Sequence, residues 1–144
     1  MTGHVKAKGR ARLDVAVAGG GVVGAACALA LARTGLDVAL VEPRPAPRWL
    51  AERPDLRVYA LAPDNAALLE RLGVWPQVLA ARAQPYRAMR VWDAAGGGEL
   101  AFDAAAMARA ELGWIVENDL LVDRLWAALA AAGVQLHCPA RVEA

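Results

Sequence analysis

The chain contains no serine, only two cysteines and two histidines, and almost no net charge. The absence of serine excludes a Ser-His-Asp hydrolytic triad within it. Cys27 and Cys138 form no CxxC or Cys/His cluster, so no metal ligand is predicted, and we expect both thiols to be buried. A formal net charge of +1 without a basic excess gives no indication of nucleic acid binding.

The length of 144 residues is enough for one domain with a hydrophobic core, and 58% hydrophobic residues indicate a globular protein. Residues 1–12 carry basic side chains but are not followed by the apolar region of a signal peptide. We therefore expect a disordered basic leader at 1–12, a domain over 13–144 and a cytoplasmic location.

The longest uncharged run, from Val15 to Ala32, approaches the length of a membrane span. Its first half holds four glycines, and Asp14 and Arg33 lie directly at its two ends. A buried strand that leads into a helix of small residues explains the run better. We predict no transmembrane segment.

The region after the leader has the pattern of a β-α-β unit. Leu13–Ala18 is apolar and rich in valine, which predicts a buried strand. Val22–Thr34 is rich in alanine and leucine, which predicts a helix that ends at Gly35. Asp37–Glu42 predicts a second strand. The three elements span about 30 residues, the usual size of a β-α-β unit, and indicate an α/β, Rossmann-like fold.

The turn of this unit has the GxGxxG spacing, with glycines at 19, 21 and 24. Gly19 permits the tight turn, Gly21 lets a pyrophosphate approach the backbone, and Gly24 lets the helix lie close to the sheet. Val23, in the same turn, is a further candidate cofactor-binding residue. The N–H groups and dipole of the helix N-terminus attract phosphate, so the turn predicts a dinucleotide site.

Glu42 stands at the end of the second predicted strand. Its carboxylate is placed to accept hydrogen bonds from a ribose diol. A negative charge there repels a 2′-phosphate, which disfavours NADP at this site. The β-α-β unit alone leaves FAD and NAD open.

The remaining segments are predicted from turn signals and periodicity. Three prolines predict a loop over 43–56. The tryptophans at 75, 92, 114 and 126 are expected in the core. The further predicted elements are helices at Pro63–Gly73, Pro76–Ala83 and from Asn118 or Asp119 to Ala132, strands at Tyr86–Asp93, Trp114–Glu117 and Val134–His137, and a hairpin partner at Glu99–Asp103.

An inserted loop, helical pair and hairpin before the next parallel strand is a layout that resembles flavoprotein hydroxylases. Four segments make the resemblance more specific: RVYAL at 57–61, LGVW at 72–75, MRVWD at 89–93 and LGWIVEN at 112–118. They resemble the ubiquinone-biosynthesis hydroxylases, FAD-dependent aromatic monooxygenases of the para-hydroxybenzoate hydroxylase class. The resemblance runs from about residue 13 to residue 142 and favours FAD.

The resemblance implies roles for two more residues. Arg57 matches an arginine that reaches the cofactor, and its guanidinium suits the pyrophosphate; the alternative is a surface arginine that caps a helix. Asn118 matches a position that faces the cofactor; the alternative is a plain helix N-cap. One departure is Pro63-Asp64-Asn65, which stands where the family commonly has a serine.

The implied reaction is the hydroxylation of an aromatic ring, including that of a polyprenylated phenol, with NAD(P)H and oxygen as co-substrates. No catalytic residue is predicted. We expect residues 86–103 to be a hairpin that begins the substrate domain. Peripheral contact with the inner membrane is an expectation for a full-length form only.

Two interpretations of the chain stay open at this point. The first is the N-terminal part of such a hydroxylase, incomplete relative to the family and inactive alone. The second is a nucleotide-binding module, either free-standing or completed by a second chain. A piece of an NAD-dependent dehydrogenase, which uses the same β-α-β unit, is a third class.

Overall fold

The computed structural model describes residues 12–47 and 49–143, so most of the predicted leader lies outside the described residues. A parallel sheet contains β1 (Val15–Ala18), β2 (Val38–Val41) and β8 (Gln135–His137) in the order β1-β2-β8. Helix α1 (Val22–Arg33) connects the first two strands. The predicted β-α-β unit and the α/β class are therefore confirmed.

A second, antiparallel sheet lies between β2 and β8 in the chain and has the order β3-β7-β4. Its central strand is β7 (Gly113–Glu117), which pairs with β3 (Val58–Leu61) and with β4 (Gln84–Tyr86). Strand β3 had no prediction. Its residues are apolar without alternation and its side chains are mostly exposed, so the sequence gives little signal for a strand, and pairing with β7 determines its conformation.

The strand predicted over Tyr86–Asp93 is wrong as one element. The chain divides at Arg87: β4 ends before it, and β5 (Ala88–Trp92) begins after it and pairs with β6 (Glu99–Asp103). A change of pairing partner leaves the alternation of side chains intact, so the sequence pattern did not reveal it. The hairpin itself is confirmed, and its place in a substrate domain stays a prediction.

The core lies where α1 packs against α4 (Asn118–Ala131) over the parallel sheet. Small residues of α1, Ala25 and Ala28, are fully buried and let the two helices approach. The largest fully buried side chains are leucines: Leu29, Leu40, Leu120, Leu121, Leu125 and Leu129. Two shorter helices, α2 (Pro63–Arg71) and α3 (Trp75–Arg82), complete this layer.

Two expectations about burial are wrong. Cys138 is half-buried, and Cys27 is exposed. Cys27 is exposed because it lies on the face of α1 that α4 leaves open. Trp92 is 68% exposed on the hairpin, whereas Trp75 and Trp126 are buried as expected.

Within residues 12–47 and 49–143, no helix combines the length and apolar character needed to cross a membrane. The same residues hold no group of three or more His, Cys, Asp or Glu side chains that could bind a metal ion.

Leu125 tests the α1–α4 core. Replacing it with alanine leaves a cavity between the helices and should lower the free energy of unfolding by about 2–5 kcal/mol. Urea unfolding followed by circular dichroism measures the change. Leu79→Ala on α3, where the side chain is 46% exposed, is the matched control and should cost much less. Equal losses in the two variants would contradict this placement of the core.

Candidate functional site

The glycine turn between β1 and α1 is shaped by two close constraints. Gly19 has a φ of +100°, a conformation that favours glycine, and its N–H donates to the carbonyl of Val41 at 2.8 Å. A Cβ on Gly24 would lie 2.0 Å from the Gly19 carbonyl oxygen. Gly21 instead faces open space, with nothing within 4 Å of a Cβ placed there. The turn is therefore closely packed at Gly24, where the helix meets the strand, and has free space beside Gly21.

Glu42 is buried directly behind this turn. One carboxylate oxygen, Oε2, accepts a hydrogen bond from the Gly20 N–H at 2.7 Å. The other, Oε1, accepts from the backbone N–H of Arg44 at 3.0 Å and from its Nε at 3.3 Å. The Gly20 hydrogen bond is the main cause that lowers the pKa of Glu42, with smaller contributions from Arg44, against the opposing effect of burial. The carboxylate is therefore ionised and still has lone pairs for a ribose hydroxyl.

The opposite wall of the site comes from the antiparallel sheet and α4. Arg57, just before β3, lies with Nη2 3.6 Å from Asp119 Oδ1 and Nε 4.0 Å from Asp55 Oδ1. Its side chain remains 69% exposed, so the guanidinium is held by carboxylates yet accessible to a ligand. The Arg57 carbonyl accepts the Asn118 N–H at 2.9 Å.

Asn118 is buried at the first turn of α4 and does not act as a plain N-cap. Its Oδ1 accepts a hydrogen bond from the Tyr59 hydroxyl at 3.3 Å, and its Nδ2 donates to Asp119 Oδ1 at 2.9 Å. The capping bond comes from elsewhere, since Asp55 Oδ2 accepts the Asp119 N–H at 3.1 Å. The pKa of Asp55 is lowered chiefly by the hydrogen bond that its Oδ1 accepts from the Arg57 N–H at 2.9 Å. The hydrogen bond from the Asp119 N–H lowers it further.

The proline-rich loop is fixed behind Arg57 by the buried carboxylate of Glu117. Glu117 accepts hydrogen bonds from Trp49 Nε1 at 3.3 Å, from the Asp55 N–H at 2.8 Å and from Arg82 Nη1 at 2.8 Å. The guanidinium groups of Arg82 and Arg124 each lie 5.5 Å from the centre of the Trp49 ring. These contacts join the loop to α3 and α4 and so determine where Arg57 lies.

Together these residues enclose a cleft of about 410 Å³, lined by Gly20, Gly21, Val22, Glu42, Arg44, Pro45, Arg57, Tyr59, Asn118, Asp119 and Val122. Of the predicted site residues, Gly21, Glu42, Arg57 and Asn118 therefore meet in one place. Gly19 and Gly24 shape the turn from behind. The side chain of Val23 instead lines a neighbouring apolar groove between α1 and α2, which leaves only its backbone for the predicted role.

The sequence reasoning missed several members of the cleft. Arg44 was detectable as the first basic residue after Glu42, whereas Tyr59 and Val122 come from elements far away in the chain. A second cavity of about 610 Å³ adjoins the cleft and shares Arg57 and Asp119 with it; its other walls include Trp49 and Arg53.

The cleft fits the adenosine diphosphate half of a dinucleotide. Gly21 leaves room at the N-terminus of α1, where backbone N–H groups favour phosphate. Glu42 offers an ionised acceptor, and Arg57 an accessible cation, on opposite sides of that position. The donors and acceptors thus match a diphosphate beside a ribose.

Comparison with known proteins agrees with this geometry. Residues 14–53 match the family model described as FAD dependent oxidoreductase. The chain is 41% identical over 119 residues to 3-demethoxyubiquinol 3-hydroxylase of Escherichia coli, covering 82% of this chain and 30% of the relative. It is 39% identical over 126 residues to the ubiquinone biosynthesis monooxygenase COQ6 of Xenopus tropicalis, covering 81% of this chain and 26% of the relative.

Among solved structures, PqsL of Pseudomonas aeruginosa shares the fold with a TM-score of 0.70 and 21% identity, over 92% of this chain and 34% of PqsL. The described residues thus have the fold of this flavin monooxygenase, and residues 14–53 carry the sequence pattern of the FAD-dependent oxidoreductases. More particularly, the chain is similar in sequence to the ubiquinone hydroxylases, as its motifs indicated, and it spans 30% and 26% of the length of the two relatives above.

Gly24 tests the tight side of the turn. In Gly24→Ala the new methyl group meets the Gly19 carbonyl, so α1 must move away from β1. We expect a fall in the melting temperature of several degrees, measured by circular dichroism. Gly98→Ala is the matched control because nothing lies within 4 Å of its Cβ position. A Gly24→Ala chain as stable as the control would contradict the observed packing.

Acid titration tests the Glu42 hydrogen bonds. Because the folded-state pKa of Glu42 lies below its ordinary value of 4.5, the stabilisation is complete above that pH and is lost as the pH falls through the lowered pKa. Urea unfolding between pH 7 and pH 3 should show this loss, and Glu42→Gln should make it shallower. Glu99→Gln, in an exposed pair with Arg90, should keep the wild-type profile.

Proposed function

We propose that this chain forms the part of an FAD site that holds the adenosine diphosphate, in a flavoprotein monooxygenase that hydroxylates an aromatic ring. The observation that supports this best is the buried Glu42 carboxylate bonded to the glycine turn at 2.7 Å. This bond places a ribose acceptor and a phosphate-binding helix N-terminus side by side. The family match over 14–53 covers the same elements.

Each side chain of the cleft has a binding role in this proposal. The N–H groups at the start of α1, including those of Gly21 and Val23, hold the diphosphate, and Arg57 neutralises its charge from the other wall. Glu42 accepts hydrogen bonds from the adenosine ribose. Asn118 donates or accepts at the cofactor from its buried position. Bound FAD supplies the electron transfer and oxygen chemistry, and the chain supplies position and electrostatics.

The proposed substrate class follows from the relatives. The Escherichia coli relative is a 3-demethoxyubiquinol 3-hydroxylase. We therefore propose an electron-rich, polyprenylated phenol as the aromatic substrate of the full-length protein, with NAD(P)H as the reductant. We further propose that the β5–β6 hairpin begins the substrate domain, since it forms a sheet of its own with exposed apolar side chains. Because such a phenol carries a long apolar chain, we also propose peripheral contact of the full-length form with the inner membrane.

FAD binding tests the cofactor assignment. The wild-type chain should quench flavin fluorescence saturably, while NADH at the same concentration should compete weakly or not at all. Arg57→Ala should weaken binding about tenfold through the loss of one charge-assisted contact. Arg90→Ala is the matched control, since its side chain is also 69% exposed but lies on the hairpin.

Three results would contradict the proposal. Tight NADH binding without flavin binding would favour the dehydrogenase interpretation. Equal affinities of the Arg57→Ala and Arg90→Ala chains would remove Arg57 from the site. No FAD binding by a folded chain would remove the cofactor role from these residues alone.

A further inference from the structure

Trp126 lies beneath the glycine turn although it is 106 positions away from Gly20 in the chain. It projects from α4, where the neighbouring Leu125 and Leu129 are fully buried. Its indole Nε1–H donates to the Gly20 carbonyl at 2.7 Å, and the ring itself is buried. Helix α4 therefore supports the glycine turn through the side chain of Trp126.

The Gly20 residue is held from both ends. Its N–H donates to Glu42 Oε2 at 2.7 Å, and its C=O accepts from Trp126, also at 2.7 Å. A Cβ on Gly20 would lie 2.4 Å from Cζ2 of the indole, so the ring packs directly against its α-carbon. Glycine at this position, the first variable one in GxGxxG, is thus required by the tryptophan.

The direction of one hydrogen bond determines the direction of the next N–H group. In a trans peptide, the C=O of Gly20 and the N–H of Gly21 point to opposite sides. Because Trp126 holds the carbonyl inside the protein, the Gly21 N–H points outward to the cleft. Among residues 12–47 and 49–143 this N–H has no acceptor, so it is available to a ligand.

We propose that Trp126 is a positioning residue, which orients the Gly20–Gly21 peptide so that the Gly21 N–H is aimed at the diphosphate of the cofactor. The inference rests on the proposed FAD function and names a residue outside the glycine fingerprint that acts on the same site. Trp126 itself does not touch the cleft; it acts through the peptide that it holds. The donor, rather than the bulk of the ring, is the part that matters.

The first test compares two buried tryptophans. Trp126→Phe removes the indole donor and should weaken FAD binding about fivefold to tenfold, the effect of one lost hydrogen bond in a buried site. Trp75→Phe is the matched control because Trp75 is equally buried but packs edge-to-face on Trp114, with ring centres 5.2 Å apart, away from the turn. Its affinity should stay within twofold of the wild type.

A replacement of the same shape separates the hydrogen bond from packing. Benzothienylalanine at position 126 exchanges the indole N–H for sulfur while it keeps the bicyclic ring, so the fold is retained even if the phenylalanine variant fails to fold. It should reproduce the fivefold to tenfold loss of affinity. Unchanged FAD affinity in this folded protein would overturn the proposal.

Two readouts need no FAD and therefore remain decisive if the proposed function fails. In the apo chain with benzothienylalanine at 126, the Gly20 N–H should exchange with solvent at least tenfold faster, and the pKa of Glu42, followed by carboxyl ¹³C shifts, should rise toward its ordinary value. The same replacement at position 75 should move neither. If the apo readouts respond but no chain binds FAD, the proposed function is wrong and the orientation of the peptide stands. If neither the exchange rate of the Gly20 N–H nor the pKa of Glu42 changes, Trp126 does not orient the Gly20–Gly21 peptide and the proposal is wrong.

Discussion

The hydrogen bond between the Gly20 N–H and the Glu42 carboxylate is the contact on which the site depends. It connects the turn after β1 to the end of β2, two points that are 22 residues apart. Without it, the turn and the acid would be separate features on one edge of the sheet. With it, the ionised carboxylate stiffens the turn proposed to bind phosphate and also forms the adjoining acceptor.

The other elements of the fold supply the remaining walls of the cleft beside this turn. Helix α4 packs on α1, supplies Trp126 below the turn and begins at Asn118 in the cleft. The antiparallel sheet then places Arg57 opposite the glycines, and Glu117 fixes the loop that leads to it. A parallel β-α-β unit and a separate antiparallel layer thus contribute opposite walls, which explains why the proposed cofactor site uses residues from 20 to 122.

Local features were predictable from the sequence. The glycine spacing, the apolar strands and the acid at 42 depend on neighbours within about 30 residues, so the β-α-β unit and its polarity could be derived. Arg57 and Asn118 entered through a family resemblance, and the structure brings both into the cleft. Contacts between residues far apart in the chain could not be predicted, because nothing in the sequence near Trp126 indicates that its indole contacts Gly20.

The errors have the same origin. The break at Arg87 is a change of pairing partner, and Trp92 and Cys27 lie on faces that no described element covers, so neither hydropathy nor alternation reports their exposure. The N-cap alternative for Asn118 followed from its residue type, whereas the Asp119 N–H is in fact accepted by Asp55 from a loop 64 residues away. The periodicity of the sequence identifies helices and strands, whereas their pairing and contact partners depend on the assembled fold.

A crystal structure of the chain with bound FAD tests the central claim most directly. The account predicts the diphosphate at the N-terminus of α1, within hydrogen-bond distance of the Gly21 N–H, with the adenosine ribose on Glu42 and Arg57 on the opposite side. A diphosphate found instead in the adjoining cavity beside Trp49 and Arg53, with the glycine turn empty, would contradict it.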